Sequence, residues 1–250
     1  MVTYPAVLDL PREVVTSLAV LLAQHRVDVG SRWRRLSPYR QAVLVLARLR
    51  NGETLAALAA GFGIGVATAH RYCEEATALL AAHAPTLTDA VEQARRAGWA
   101  VLDGTLLPTD RLRDKRFNSG KHRAYGVNVQ ALLAPDGRPL WCSPPLPGNT
   151  HDLTAARTHG MLDAIADAGV TVLADRAYTG ATELLLPYKT WNGRTLSSAK
   201  QAANRAHATL RGRGERGFAI LKTWRILRRL HCCPWRAGPI VAAILTLEHL

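Results

Sequence analysis

The sequence predicts an α/β domain preceded by a small all-α domain, on three observations. Residues 1 to about 95 carry apolar side chains at helical spacing with little strand signal. From about residue 97, strand-like apolar runs alternate with helical segments. Two of those runs, Val101-Leu102 and Val172-Leu173-Ala174, lead directly into an aspartate, Asp103 and Asp175. The boundary falls at Ala97-Gly98, giving domains 1–96 and 97–250.

Within the first domain, Ser37-Pro38 reads as a helix start, with Tyr39, Ala42, Val43 and Leu46 forming an apolar stripe that ends near Asn51-Gly52. Thr54 can cap a second helix through Leu55, Ala56, Leu58 and Ala59. Gly61-Phe62-Gly63-Ile64-Gly65 breaks it, and a third helix runs from Val66 toward Leu80. Two short helices across a glycine-containing turn make a helix-turn-helix candidate, and part of a plain helical bundle is the alternative. If it reads DNA, the third helix enters the major groove near its N-terminus, with Thr68, His70 and Arg71 meeting bases or phosphates.

In the second domain, Trp99 to Asp103 is a short strand, Tyr125 to Leu133 a second, and Asp136-Gly137 turns into a third at Pro139 to Ser143. A helix from Asp152 to Ala168 follows, then a strand at Val170 to Ala174, another run at Leu184 to Tyr188, and helix from about Ser198. Three antiparallel strands, a helix, a strand and further helices is the element order of a ribonuclease-H-like fold.

Composition narrows the partner. In 250 residues, Lys and Arg number 32 against 19 acids, a net charge of +13, which favours a polyanion because neutralising phosphates releases condensed counterions. The opening residues lack the pattern of a secretory signal, and no apolar run approaches the roughly 20 residues needed to cross a bilayer. A cytoplasmic protein with no membrane partner is expected. Cys73, Cys142, Cys232 and Cys233 form no C-x-x-C pair and read as buried small side chains.

The carboxylates carry the chemistry. Asp103 and Asp175 at the ends of neighbouring strands would stand side by side, and two such charges repel unless a cation lies between them. All-oxygen ligands suit Mg²⁺ or Mn²⁺. A third acid, Glu215, sits alone among Arg211, Arg213 and Arg216. An ion-pair partner on a solvated face is one reading of it. At 100° per residue, however, Glu215, Lys222, Arg225 and Arg229 fall within an arc of about 80°, a stripe suited to DNA backbone. Arg111, Arg113, Lys115, Arg116, Lys121 and Arg123 surround one acid, Asp114, and read as a phosphate grip or as a solvated basic hairpin. Asp152, a fourth acid near the motif ends, reads first as the cap of its helix, with a place as third ligand in default of Glu215 the alternative.

Four segments resemble the DDE-superfamily transposases of bacterial insertion sequences, in the Harbinger-like branch. They are Val101-Leu102-Asp103-Gly104-Thr105; Pro147-Gly148-Asn149-Thr150-His151-Asp152; Leu173-Ala174-Asp175-Arg176-Ala177-Tyr178-Thr179-Gly180; and Arg205-Ala206-His207 leading to Glu215-Arg216-Gly217-Phe218-Ala219-Ile220-Leu221-Lys222. The resemblance implies a catalytic and metal-binding triad of Asp103, Asp175 and Glu215, with two Mg²⁺ or Mn²⁺ ions serving strand cleavage and then strand transfer. It implies double-stranded DNA, as element ends and target, for partner, a homo-oligomer on that DNA, and association with the nucleoid. Arg176-Ala177 replaces the family's common Lys-Gly, which keeps the basic residue. Gly212, Gly214 and Gly217 each cost a helix roughly 1 kcal/mol, which leaves two placings for Glu215, at a helix start or inside the helix. A nuclease that does not join, and a DNA-binding regulator or inactive relic, are the alternatives.

Overall fold

The computed structural model describes residues 8–31, 33–110, 113–190 and 195–250, with the side chain of Glu215 outside that description. The chain folds into two compact units that are each discontinuous in sequence. Met1–Ala84, Lys222–Arg228 and Pro239–Leu250 form the first; Pro85–Leu221 and Arg229–Gly238 form the second.

The first unit is helical: α1 (Arg12–Asp28), α2 (Pro38–Asn51), α3 (Leu55–Phe62) and α4 (Val66–Ala82). The start signals act as expected. Ser37 accepts from the Arg40 amide, Pro38 occupies the first turn, and Thr54 accepts from the Ala57 amide. Gly63 closes α3 at φ +66°, a left-handed conformation that favours glycine, and so sets the turn into α4. Leu18, Leu22, Leu46, Leu58 and Leu80 lie at the core. The late segments complete it. Trp224 and Leu227 are wholly buried, the Arg50 guanidinium lies 5.5 Å from the Trp224 ring centroid, and the Thr246 hydroxyl donates to Leu80 O at 2.9 Å.

The second unit holds a six-stranded sheet of β1 (Trp99–Pro108), β2 (Asn118–Ser119), β3 (Ala124–Leu133), β4 (Pro139–Cys142), β5 (Leu146–Pro147) and β6 (Thr171–Leu173). The order is β2-β3-β1-β6, with β4 and β5 also pairing β3. β1 runs antiparallel to β3 and parallel to β6. One face carries a core of Ala100, Leu102, Leu132, Val172 and Ala174 with side chains of three helices: Ala90, Val91 and Ala94 of α5 (Leu87–Ala97), Ala156 of α6 (Asp152–Thr158), and Met161, Leu162 and Ile165 of α7 (Met161–Ala168). The chain continues into α8 (Ser198–Arg211), α9 (Glu215–Thr223) and α10 (Ala237–Glu248). A helical region followed by a mixed sheet and helices is the α/β class that the sequence predicts.

Several expectations are corrected. The units divide at 84/85 rather than 96/97, because α5 buries its apolar face in the sheet's core and residues 222–228 and 239–250 return to the helical unit. β1 does not stop at Asp103; pairing with the ten-residue β3 carries it to Pro108, opposite Gly126. Leu184 to Tyr188 forms no strand and contributes a single bridge, Leu185 to Leu173. The helix expected over 152–168 breaks at His159-Gly160, where Gly160 has φ +64°. Cys73 and Cys142 are buried as expected, but Cys232 is half-buried and Cys233 exposed, just ahead of a surface turn at Pro234–Arg236. Among the described residues, no helix is long and apolar enough to cross a membrane.

Candidate functional site

Parallel pairing of β1 with β6 puts Val101 opposite Leu173. Two residues further along each chain stand Asp103 and Asp175, so strand alternation brings both carboxylates to the same level on the same face. Asp103 lies inside β1 and accepts from the Gly104 amide at 2.9 Å. Asp175 lies just past β6 and accepts from the Ala177 amide at 2.8 Å, capping the short turn Arg176–Tyr178. Burial, with the negative charges of Asp175 and Asp152 adding to it, pushes the Asp103 carboxyl up to about 6; the Gly104 amide and the Arg211 guanidinium pull the other way. A half-buried acid held against like charges in this way is poised to accept a cation.

Asp152 does not cap its helix. His151 occupies the cap position and no side-chain cap bond forms. The Asp152 carboxylate turns instead to the sheet, where Oδ1 accepts from Asn128 Nδ2 at 2.9 Å and Gln130 Nε2 at 3.1 Å, while Oδ2 faces Lys121 Nζ at 3.6 Å. Gln130 also donates to Asn128 Oδ1 at 2.7 Å and accepts from the buried Tyr178 hydroxyl. Burial and the charges of Asp152, Asp103 and Asp175 hold that hydroxyl protonated, with its pKa well above the ordinary value. Gly104 makes room for the network, since a Cβ there would stand 2.4 Å from Asp152 Oδ1 and 2.6 Å from Gln130 Nε2. Asn128 and Gln130 escaped the sequence reading, although they alternate with Val127, Val129 and Ala131 and thereby mark a polar stretch on one face of β3.

Asp152 and Asp175 line a cleft of about 500 Å³ with Lys121, His122, Asn149 and His151. The Pro147-to-Asp152 segment singled out in the sequence thus forms one wall and the basic hairpin another. Of that hairpin, Arg113, Lys115, Arg116, Lys121 and Arg123 are exposed, and Arg116 is committed to Asp114 at 2.7 Å. Arg111 lies outside the described residues.

Of the two placings left open for Glu215, it is the first residue of α9, directly after the turn Gly212–Gly214. The glycines have a further cause. A Cβ on Gly214 would stand 2.9 Å from Val101 Cγ1, and one on Gly217 would stand 2.5 Å from Leu133 Cδ2 and 2.8 Å from Gly137 O. This turn therefore packs on the face of the sheet that carries Val101 and Asp103. His207, buried in α8, anchors the approach by donating from Nε2 to Leu185 O at 2.9 Å. Arg211, at the end of α8, is the cation that acts on Asp103.

The proposed stripe on one helix is corrected. α9 ends at Thr223, Arg225 belongs to a separate short turn Arg225–Leu227, and Arg229 pairs with Asp110 at 2.8 Å. Buried Trp224, whose backbone is extended, breaks the helical period. Lys222, Arg225 and Arg229 are all exposed but share no helical face. In the helical unit, Thr68, His70 and Arg71 fall near the start of α4; Arg71 is exposed and donates to the Thr68 hydroxyl at 3.3 Å.

Among the described residues, no three His, Cys, Asp or Glu side chains are arranged to hold a metal ion. The described acids supply the Asp103–Asp175 pair, whose all-oxygen character suits a hard divalent cation. A third ligand from Glu215 falls outside the described side chains.

Residues 102–248 match the family described as DDE superfamily endonuclease, and residues 34–86 match the helix-turn-helix of DDE superfamily endonuclease. The chain is 33% identical over 192 residues to a protein of Streptomyces albus G named "Putative transposase for insertion sequence element IS112", a span covering 75% of this chain and 70% of that protein. No solved structure matches the chain.

Proposed function

The chain belongs to the DDE superfamily endonucleases, and from that premise we propose a transposase that cuts DNA at the ends of its element and joins them to target DNA. The observation that supports the reading is the parallel pairing of β1 with β6, which carries Asp103 and, just past β6, Asp175 to one level, on the face where Gly214 of the turn before α9 packs.

In the first step an attacking water oxygen forms a bond to phosphorus as the bond to the 3′ oxygen breaks, leaving a free 3′-hydroxyl. In the second that hydroxyl attacks a target phosphate and displaces its 3′ oxygen, so no covalent protein intermediate is needed. When bound, Mg²⁺ or Mn²⁺, two ions in our reading, would lower the pKa of the attacking group and offset charge on the leaving oxygen. Asp103 and Asp175 would hold the cations, with Glu215 as third ligand on a ribonuclease-H-like scaffold. Arg211 limits the like-charge repulsion at Asp103. Arg113, Lys115, Lys121 and Arg123 grip the phosphates beside the cleft, and Lys222, Arg225 and Arg229 add separate surface contacts. Thr68, His70 and Arg71 read the element end through the major groove, and a homo-oligomer holds two such ends together.

The test is the purified chain with Mn²⁺ on DNA carrying the element's terminal inverted repeats. Nicked ends and joined products are expected. Nicking without joining would leave a nuclease, and binding without either would leave a regulator or an inactive relic.

A further inference from the structure

We propose that Asp152 is a positioning residue, which holds the Lys121 ammonium at the mouth of the cleft to meet a phosphate oxygen of the DNA, and is not a ligand of the catalytic cation. The proposal rests on the DNA-cleaving reading given above, of whose acids Asp175 belongs to this cleft.

Three features separate Asp152 from the acids beside it. First, its approach is from the other side of the sheet. Asp103 shares a face with Val101 and Thr105, whereas Asp152 meets β1 at Gly104, the position of opposite orientation. Second, its orientation is dictated by neutral donors. Amides of Asn128 and Gln130 both converge on Oδ1, and Gln130 is itself held by Tyr178, so Oδ2 is left facing Lys121. Third, the pair is unequal. The Asp152 side chain is 13% exposed and that of Lys121 61%, so the fixed member is the acid and the guided member the cation. A pair 3.6 Å apart at a surface is weak enough for a phosphate oxygen to compete for the ammonium.

The test compares the full-length wild type with D152N, K121A and the double variant; asparagine keeps an Oδ1 acceptor for the two amides. Lys121 should be acylated by an amine-reactive ester about threefold faster in D152N than in wild type, an effect within the range of a weak exposed pair, with Lys115 unchanged. Mn²⁺ affinity, read by calorimetry without DNA, should fall only about twofold in D152N, through loss of a neighbouring charge, and be lost in D103N. At saturating supercoiled plasmid carrying the element's terminal inverted repeats, D152N should slow nicking about fivefold and K121A about tenfold, with the double no slower than K121A, where independent effects would multiply to about fiftyfold. Loss of Mn²⁺ affinity in D152N, multiplying rate effects, or an unchanged Lys121 acylation rate would each overturn the proposal. A wild type that does not nick overturns the cleavage reading instead, and the acylation and Mn²⁺ measurements still decide whether Asp152 holds Lys121.

Discussion

Asp103 is a carboxylate whose surroundings oppose its charge, and this has measurable consequences. Its pKa rises from the ordinary 3.8 to about 6 through burial and neighbouring acids. Between those values the folded chain keeps a proton that the unfolded chain has released. The contribution to stability is therefore greatest at low pH, falls as pH rises through that window, and is level above it. A divalent cation must displace the same proton, so Mn²⁺ affinity should fall about tenfold per pH unit below the Asp103 pKa. Calorimetric titrations over that range check it; an affinity indifferent to pH would remove Asp103 from the cation site. For the same reason Asp103→Asn and Asp175→Asn should each lower strand cleavage by on the order of 10²-fold or more while circular dichroism and DNA affinity stay near wild type. Either variant retaining a tenth of the activity would take that residue out of the mechanism.

At the scale of elements, the turn ahead of Glu215 and the first turn of α9 pack closely on the sheet. Helix propensity alone says that Gly217→Ala stabilises α9 by about 1 kcal/mol. The space beside it says otherwise, because the added methyl would meet Leu133 Cδ2 and Gly137 O within 3 Å, and overpacking costs about 1–3 kcal/mol. Net destabilisation is expected for Gly217→Ala. Gly212→Ala, with nothing within 4 Å, should be neutral or mildly stabilising. Urea unfolding of the two variants measures the contrast, and equal midpoints would mean that the close approach is immaterial. These glycines also show where sequence reading stopped. Local signals were legible: the Ser37 and Thr54 caps, the Gly52 and Gly63 stops and the β3 and β4 runs all appear where their chemistry predicts. Legibility failed where a distant segment settles the matter. Glycines that look like helix faults are clearances against Val101 and Leu133, Asp152 answers to Asn128 and Gln130 instead of its own helix, and the basic stripe is interrupted because Trp224 is buried.

For the molecule as a whole, the surplus of +13 describes a chain suited to a polyanion, but the division into units describes how that chain must be made. The helical unit is incomplete without Trp224 and α10 residues such as Thr246. Deleting a buried tryptophan side chain costs about 3–5 kcal/mol, a large part of the roughly 5–15 kcal/mol that holds a domain together. Residues 1–95 expressed alone should therefore melt without a cooperative transition by far-ultraviolet circular dichroism. A sharp transition as high as that of the full chain would show the late segments to be dispensable. The same arrangement orders events on the ribosome. The unit begun first is closed last, only after the strands bearing Asp103 and Asp175 have emerged. A chain stopped between residues 175 and 222 carries both aspartates but lacks Trp224 and α10, so interrupted translation yields a fragment whose helical unit is left open.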